Sequence, residues 1–522
     1  MKKWIRYLAG VVAVTALLAV VTDAGADTCK LEIKKVEARK PGGPRQDYMF
    51  RYAYPQRFFK QIGGPQGIIS AGSSADKNKP EFSKVIKKEL AKYVAEHPFR
   101  GVVKLGSQYY GFVFDAAPPT EAEKKKAAEE KQAAETKKDA DKKKSDSEAK
   151  AKAKKPKADN KNKPSPKAIY FCRLYFDLNH NGDLTDDKVI EADTNQRQSN
   201  TSTSSSFPRV DLTIDVDGTK MDYAFTMRVS MQANSRFSYA RAQLTAAAYR
   251  EGEITLDGKK YRVVVVDFNS NGMFNDESKV NDNIRRSNGV VYPTQGDRLF
   301  VIDPKAGKSS GSPYDVSAND ALHYVAKLVN FGGRFHDLTI SPVGNELQLA
   351  PSSIPVGHVT NPNKGYRAIV YGKQGFLKVV GDKSGKSPLP EGEWKLLSYT
   401  IDQTEKPEPE KPEPEKPKAE AKVKAKTESK ADTKDKTKAK AEVEAKLKDR
   451  EEAIKKARPR PTTIAARATK DYKAVKVVKD KTVALPFGSP YRPVVSVQYR
   501  QGDGKVSLGM SLVAWQTRFA AA

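Results

Sequence analysis

Two short stretches hold residue types that could ligate an ion: DLNHNGDLTDD from Asp177 and DFNSNGMFNDE from Asp267. Each sets Asp, Asn and Asn at its first, third and fifth positions and follows them with Gly. Alternate side chains in a tight loop turn their oxygens to one side, and glycine permits the reversal. A hard cation such as Ca2+ takes six or more oxygens. Asp177, Asn179, Asn181 and Asp183 are therefore one candidate shell, with Asp186 and Asp187 placed to complete it. Asp267, Asn269 and Asn271 are the other. Met273 has only its carbonyl to give there, and Asn275, Asp276 and Glu277 stand as further ligands.

A helical EF-hand ends its loop with a bidentate Glu at position twelve. Here those positions are Lys188 and Ser278, and strand-like runs precede both loops. The likeness is to strand-loop-strand calcium loops, such as those of integrin-type propellers. The competing reading is an Asx-rich turn that hydrogen-bonds its own backbone and binds nothing. Repetition favours metal, with modest affinity for so few formal charges.

Little else suggests chemistry. His180 sits at an outward position of the first loop and has no Cys or His partner at zinc-ligand spacing. The five histidines form no HExxH, no serine lies in GxSxG, and Gly63-Gly64-Pro65 is no phosphate loop. No catalytic residue is assigned, and a secreted hydrolase is kept only as an alternative.

The elements that must position the loops are strands. YFCRLYFD, VDLTIDVDGTKMDYAFTMRV, EGEITLDGKKYRVVVVD and FHDLTISPVGNELQLA have hairpin patterning, with turns at Asp217-Gly218, Asp257-Gly258 and Gly344-Asn345. YRAIVYGKQGFLKVV, GEWKLLSYTID, DYKAVKVV, KTVALPF, VVSVQY and KVSLGMSLVA continue the series, and Trp394 is expected in a core. The fold class expected is mainly β: tandem sandwich- or barrel-like domains with one or two short helices. PEFSKVIKKELAKYVAEH predicts a helix, with Phe82, Val85, Ile86, Leu90, Tyr93 and Val94 on one face. FRGVVKLGSQYYGFVFD (Phe99–Asp115) aligns in pattern with REGEITLDGKKYRVVVVD (Arg250–Asp267), which makes hairpin plus acidic loop a unit used twice.

Two segments, 119–167 and 404–461, consist largely of Lys, Ala, Glu, Asp and Pro. Such stretches bury too little apolar surface to offset chain entropy. The domains expected are thus a signal peptide at 1–26, an α+β region at 27–118, a β-rich domain at 168–350, and β-rich regions at 351–403 and 462–522. The last is expected to be cut short, because VSLGMSLVA runs into WQTRFAAA.

The N-terminus reads MKKWIR, then an apolar run, then small residues at Ala24 and Ala26, which predicts export with cleavage after Ala26. No second apolar stretch is long enough to span a membrane. The chain is expected in the periplasm, at the cell surface or outside the cell. An oxidising compartment permits Cys29 and Cys172 to pair. The net charge of +29 comes with no DNA or RNA motif, so the partner expected is anionic polysaccharide or another envelope component. YMFRYAYPQRFF (Tyr48–Phe59) has the rings and arginines of a sugar-stacking surface, or of a packed core.

FDLNHNGDLTDD, VDFNSNGMFNDE, HYVAKLVNFGGRFHDLTISPVGNELQL, PEGEWKLLSYTID and LPFGSPYRPVV together resemble exported proteins of planctomycete-type bacteria whose activity is uncharacterised. The resemblance implies export and carries no catalytic residue. The expectation for function is a non-enzymatic envelope or extracellular protein with calcium-stabilised β-domains.

Overall fold

The computed structural model describes residues 27–36, 53–63, 79–118, 168–193, 201–233, 238–281, 289–305, 319–331, 333–363, 365–402, 463–488, 491–499 and 506–514, with a few single residues besides. Residues 1–26, read from sequence as a signal peptide, and the lysine-rich segments 119–167 and 404–461 lie outside them, single positions apart. Among the described residues the chain is mainly β, with one helix of four residues. It divides into two compact units: Met1–Ser287, Val291–Ile354 and Tyr371–Lys378 form one, and Asn288–Val290, Pro355–Val370 and Val379–Ala522 the other. No helix in the described part is long and apolar enough to cross a membrane.

Four sheets build the first unit. One runs β4 (Phe99–Leu105), β5 (Gln108–Ala116), β6 (Phe171–Phe176), β7 (Ile190–Glu191). The next runs β2 (Glu32–Lys35), β12 (Ala248–Leu256), β13 (Lys259–Val266), β14 (Arg298–Ile302), β15 (Leu322–Tyr324). A third runs β3 (Gln56–Gly63), β11 (Ser238–Ala246), β10 (Thr219–Ala233), β8 (Ser202–Ser206), with β9 (Val210–Val216) also paired to β10. The fourth runs β1 (Asp27–Lys30), β18 (Glu346–Pro351), β17 (Arg334–Ile340), β16 (Leu328–Phe331).

Their sequences explain their faces. VDLTIDV in β9 and SYARAQLTA in β11 alternate buried with more exposed positions, the period of a sheet packed on one side. Val263–Val266 in β13 is an unbroken apolar run and is buried throughout, as suits a strand covered on both faces. Asp217-Gly218 and Asp257-Gly258 take φ of 50° and 86°, and of 51° and 74°. Positive φ at both central residues matches the right-handed strand twist, so these turns fix the register of their hairpins. One core joins the sheets. Phe176 meets Phe225 at 4.9 Å and Phe114 meets Phe207 at 5.2 Å between ring centroids. The same cluster continues through Val263, Leu299, Leu338 and Leu347. Residues 27–118 and 168–350 therefore share a single interior.

The expected helix is largely absent. Only α1 (Phe82–Val85) forms, and Ile86 already has extended φ and ψ of −97° and 121°. The apolar residues do share a side: Ile86 and Tyr93 are buried against Val113 and Tyr175, with Phe82, Val85 and Leu90 around them. Val94 is the exception, at 43% exposure. Backbone pairing overrides helix propensity here. The amides of Lys87 and Lys88 donate to the Gly182 carbonyl at 2.8 and 3.1 Å, and Leu184 N–H donates to Lys88 O at 3.0 Å. Buried Asp115 holds the far end, accepting from Val94 N–H at 2.9 Å and Ala95 N–H at 2.7 Å.

The candidate disulfide is not formed: Cys29 and Cys172 are both free, buried thiols. They belong to different sheets, Cys29 to β1 opposite Leu347 and Cys172 to β6. Burial pushes both thiols above their ordinary pKa, so they stay protonated and inert.

In the remaining strands, β22 (Lys386–Pro390), β19 (Val356–Thr360) and β26 (Thr482–Ala484) form one sheet, with β19 and β26 parallel. β21 (Gly375–Val380), β20 (Arg367–Gly372), β23 (Gly392–Asp402) and β24 (Thr463–Arg467) form another, with β25 (Val475–Val477) beside β23. β27 (Tyr491–Tyr499) and β28 (Val506–Ala514) are a hairpin. Trp394 is buried as expected, its Nε1–H donating to Pro390 O at 2.8 Å.

Candidate functional site: two Asx-Gly loops

Both loops leave the ends of strands in equivalent positions. The first leaves β6, which lies between β5 and β7; the second leaves β13, which lies between β12 and β14. Phe176, the last residue of β6, faces Phe112 of β5, and Val266, the last of β13, faces Tyr249 of β12. The repeated unit is therefore β5–β6–loop–β7 and β12–β13–loop–β14. The sequence alignment of Phe99–Asp115 with Arg250–Asp267 is displaced by one strand. Residues 117–170 lie between β5 and β6, where the second copy has the Asp257-Gly258 turn.

The backbones of the two loops agree. Gly182 and Gly272 have φ of 77° and 82°, and His180 and Ser270, two residues earlier, have 58° and 60°. Left-handed backbone at a residue other than glycine is uncommon, so its recurrence at one loop position marks a shared shape. The Asp that opens each loop, fully buried, accepts from the same two amides. Asp177 takes Asn181 N–H at 3.0 Å and Gly182 N–H at 3.2 Å; Asp267 takes Asn271 N–H at 3.1 Å and Gly272 N–H at 2.7 Å. Leu184 and Phe274 plug the interior below, neither with any exposure.

Asp186 and Asp276 are where the polar side chains meet. Asn179 and Asn181 donate their amides to Asp186 Oδ2 at 3.5 and 2.7 Å. Asn269 and Asn271 donate to Asp276 Oδ2 at 2.8 and 2.6 Å. The Asn oxygens accept backbone N–H groups two residues on, at 2.7 to 3.1 Å. In this conformation the loops satisfy themselves, as an Asx turn does. Among the described residues no three of His, Cys, Asp and Glu gather around one point.

The other expected ligands scatter. Asp183 Oδ2 pairs with Lys88 Nζ at 2.7 Å, and Lys88 and Thr185 hold its carboxyl down at about 2. Met273 packs its side chain against the core. Glu277 is exposed, and Asn275 stands half-buried beside it. His180 points outward, its Nε2 3.2 Å from Tyr109 O.

One residue escaped sequence reasoning. In the first loop Leu178 N–H donates to Asp187 Oδ1 at 3.2 Å. In the second, Phe268 N–H donates to Asp297 Oδ1 at 3.0 Å. Three residues beyond each, Ile190 faces Leu174 and Phe300 faces Val264, so Asp187 and Asp297 are the same position. The stretch 277–296, without counterpart in the first loop, hides that equivalence, and no spacing rule would recover it. Asp297 Oδ2 also accepts Asp276 N–H at 2.8 Å, whereas Asp187 Oδ2 is buried with no hydrogen-bond partner.

The electrostatics are unfavourable for the charged forms. Burial pushes Asp187 up to about 6 and raises Asp177. Burial also raises Asp267 and Asp297, and Asp297 is raised further by Asp267 and Asp276 beside it. Tyr223 O–H donates to Asp267 Oδ2 at 2.6 Å. The nearby Arg298 guanidinium lies 4.0 and 4.5 Å from the ring centres of Phe268 and Tyr324 and donates to Ser278 Oγ at 3.1 Å.

The second loop is also a junction. Ser270 Oγ donates to Tyr54 O and accepts Ala246 N–H, both at 2.9 Å. Asn271 O accepts Gly106 N–H at 2.7 Å from the β4–β5 turn, and Phe274 N–H reaches Pro342 O at 3.1 Å. With Tyr223 on β10, this one loop is tied to all four sheets of the unit. No protein-family model matches the chain, and no curated protein or solved structure is significantly similar to it.

Proposed function

We propose that this chain is a non-catalytic scaffold of the cell envelope or extracellular space, in which the two Asx-Gly loops brace neighbouring sheets and calcium tightens the brace. The observation that carries the reading is the second loop, where burial raises the Asp267 and Asp297 carboxyls and the charges of Asp267 and Asp276 raise Asp297 further. Burying like charges without a counter-ion is costly, and a divalent cation relieves it.

The donor set suits a hard ion: carboxylates, amide oxygens and carbonyls, with no thiolate or imidazole. The amide oxygen and nitrogen of an Asn exchange places on a half-turn of the terminal torsion. Turning Asn179 and Asn181, or Asn269 and Asn271, would set two oxygens beside the Asp186 or Asp276 carboxylate. One carboxylate and two amides, completed by carbonyls and water, make a weak site, in the range about 10⁻⁴ to 10⁻³ M typical of extracellular modules.

Calcium titration of the purified chain by calorimetry, with melting followed in EDTA and in millimolar calcium, tests this. Saturable heat and a melting point raised by calcium are expected, and both should vanish in Asp186→Ala/Asp276→Ala. A chain that melts identically in the two buffers and gives no heat would defeat the proposal.

A further inference from the structure

The outer face of the β3–β11–β10–β8 sheet has a composition that core packing does not explain. Along β11, and along β10 from Phe225 onward, every second residue is buried, and those between point away from the core. Strand register fixes the outward neighbours. Ser206, Arg228, Gln243 and Arg57 lie in one row across four strands. Ser204, Ser230, Arg241 and Phe59 form the next, and Tyr239 pairs with Gln232 in a third. The three rows contain guanidinium, amide, hydroxyl and aromatic groups and no carboxylate.

Sheet geometry sets the spacing. Arg228 and Arg57 are two strands apart, about 10 Å, and Arg241 sits on the strand between them, one row along. None of the ion pairs among the described residues includes any of the three. Arg57 lies over the Tyr54 ring at 4.7 Å and Arg241 over Phe59 at 5.7 Å. The Nε groups of Arg57 and Arg241 find no hydrogen-bond acceptor. Arg228 Nε–H donates only to a neutral oxygen, Ser204 Oγ, at 3.0 Å. Burial lowers the Arg241 pKa, and the nearness of Arg57 and Arg228 lowers it further, so the cluster repels itself.

We infer that this face binds an extended acidic polysaccharide, with its anionic groups on Arg57, Arg228 and Arg241 and its sugar rings against Phe59 and Tyr239. A planar guanidinium matches a carboxylate or sulfate with paired hydrogen bonds. Flat aromatic surface at the same level suits the apolar face of a pyranose ring, and amide and hydroxyl side chains between them suit sugar hydroxyls. A point-charge mechanism would be served equally by the lysine-rich segments, which have no aromatic side chains. The inference does not depend on calcium in the loops.

The test uses the full chain and polygalacturonate at fixed ionic strength, measured by calorimetry. R57Q/R228Q/R241Q is compared with K142Q/K143Q/K144Q, which removes the same charge from a lysine-rich segment. The face variant should bind about tenfold more weakly, the loss of roughly one paired contact, and the lysine variant less than about twofold. Dextran should not bind, and single-stranded poly(dT) at equal charge should not compete. Equal losses in the two variants, undiminished binding by the face variant, or full competition by poly(dT) would each overturn the inference. Should the triple variant fail to fold, Arg241→Lys keeps the charge and loses the fork. It should bind about threefold more weakly at an unchanged melting point, and unchanged affinity would overturn the inference equally.

Discussion

Asp187 and Asp297 do the same work for two loops, each accepting the second loop amide, but they stand nine and 29 residues from the amide they accept. Their second oxygens differ. Asp297 Oδ2 takes Asp276 N–H, and Asp187 Oδ2 takes none.

Asp187 introduces a pH dependence through its burial. Burial holds the Asp187 carboxyl at about 6 in the fold, above its value of 3.8 in an unfolded chain. A raised carboxyl contributes stability that is complete below about 3.8 and is lost as pH rises through about 6. A shift of that size is worth about 3 kcal/mol in a dry site, and partial exposure reduces the expected swing to about 1 kcal/mol. Asp187→Asn should abolish this swing in calcium-free buffer. Urea denaturation of both proteins at pH 4 and pH 7 checks it, and parallel pH profiles would count against the assignment.

Tyr223→Phe should cost about 2 kcal/mol. It removes the O–H that Asp267 Oδ2 accepts and leaves a buried carboxylate one bond short. Because the phenol helps hold Asp267 charged, the penalty should shrink below neutral pH as the carboxyl protonates. A penalty that does not vary with pH, measured by denaturation at pH 5 and pH 8, would show that the hydroxyl matters only by packing.

Gly111 and Ile86 should behave as one contact. A methyl group at Gly111 would lie 2.2 Å from Ile86 Cγ1, so Gly111→Ala forces the covering segment off β5 and should cost about 2 kcal/mol. Ile86→Ala alone leaves a cavity and should cost about 3 kcal/mol. The double variant should lose at least about 1 kcal/mol less than the two losses combined. Additive losses would show that the segment is not seated on β5 in solution.

What sequence could disclose followed the range of each interaction. The Asp217-Gly218 and Asp257-Gly258 hairpins were legible because two adjacent residues determine the turn. The loops were legible because Asp, Asn, Asn and Gly fall within six positions. The segment after Phe82 was misread because its apolar spacing satisfies a helix and an extended cover equally. The Gly182 carbonyl, far along the chain, decides between them. Asp297 was invisible for the same reason, its role being fixed by the pairing of β14 with β13. The thiols of Cys29 and Cys172 were read from compartment alone, and their separation into two sheets overrules it.

The interrupted turn between β5 and β6 has a consequence of its own. Closing a loop of about fifty residues instead of two costs only about 3 kcal/mol more, because the penalty grows with the logarithm of length. Copy number two keeps its ends together by a dipeptide, while copy number one relies on side-chain fit to bring the same two strands into line. The sheet thus tolerates cargo at that corner. By that arithmetic, chain added or removed at that corner changes the cost of closing it only slightly.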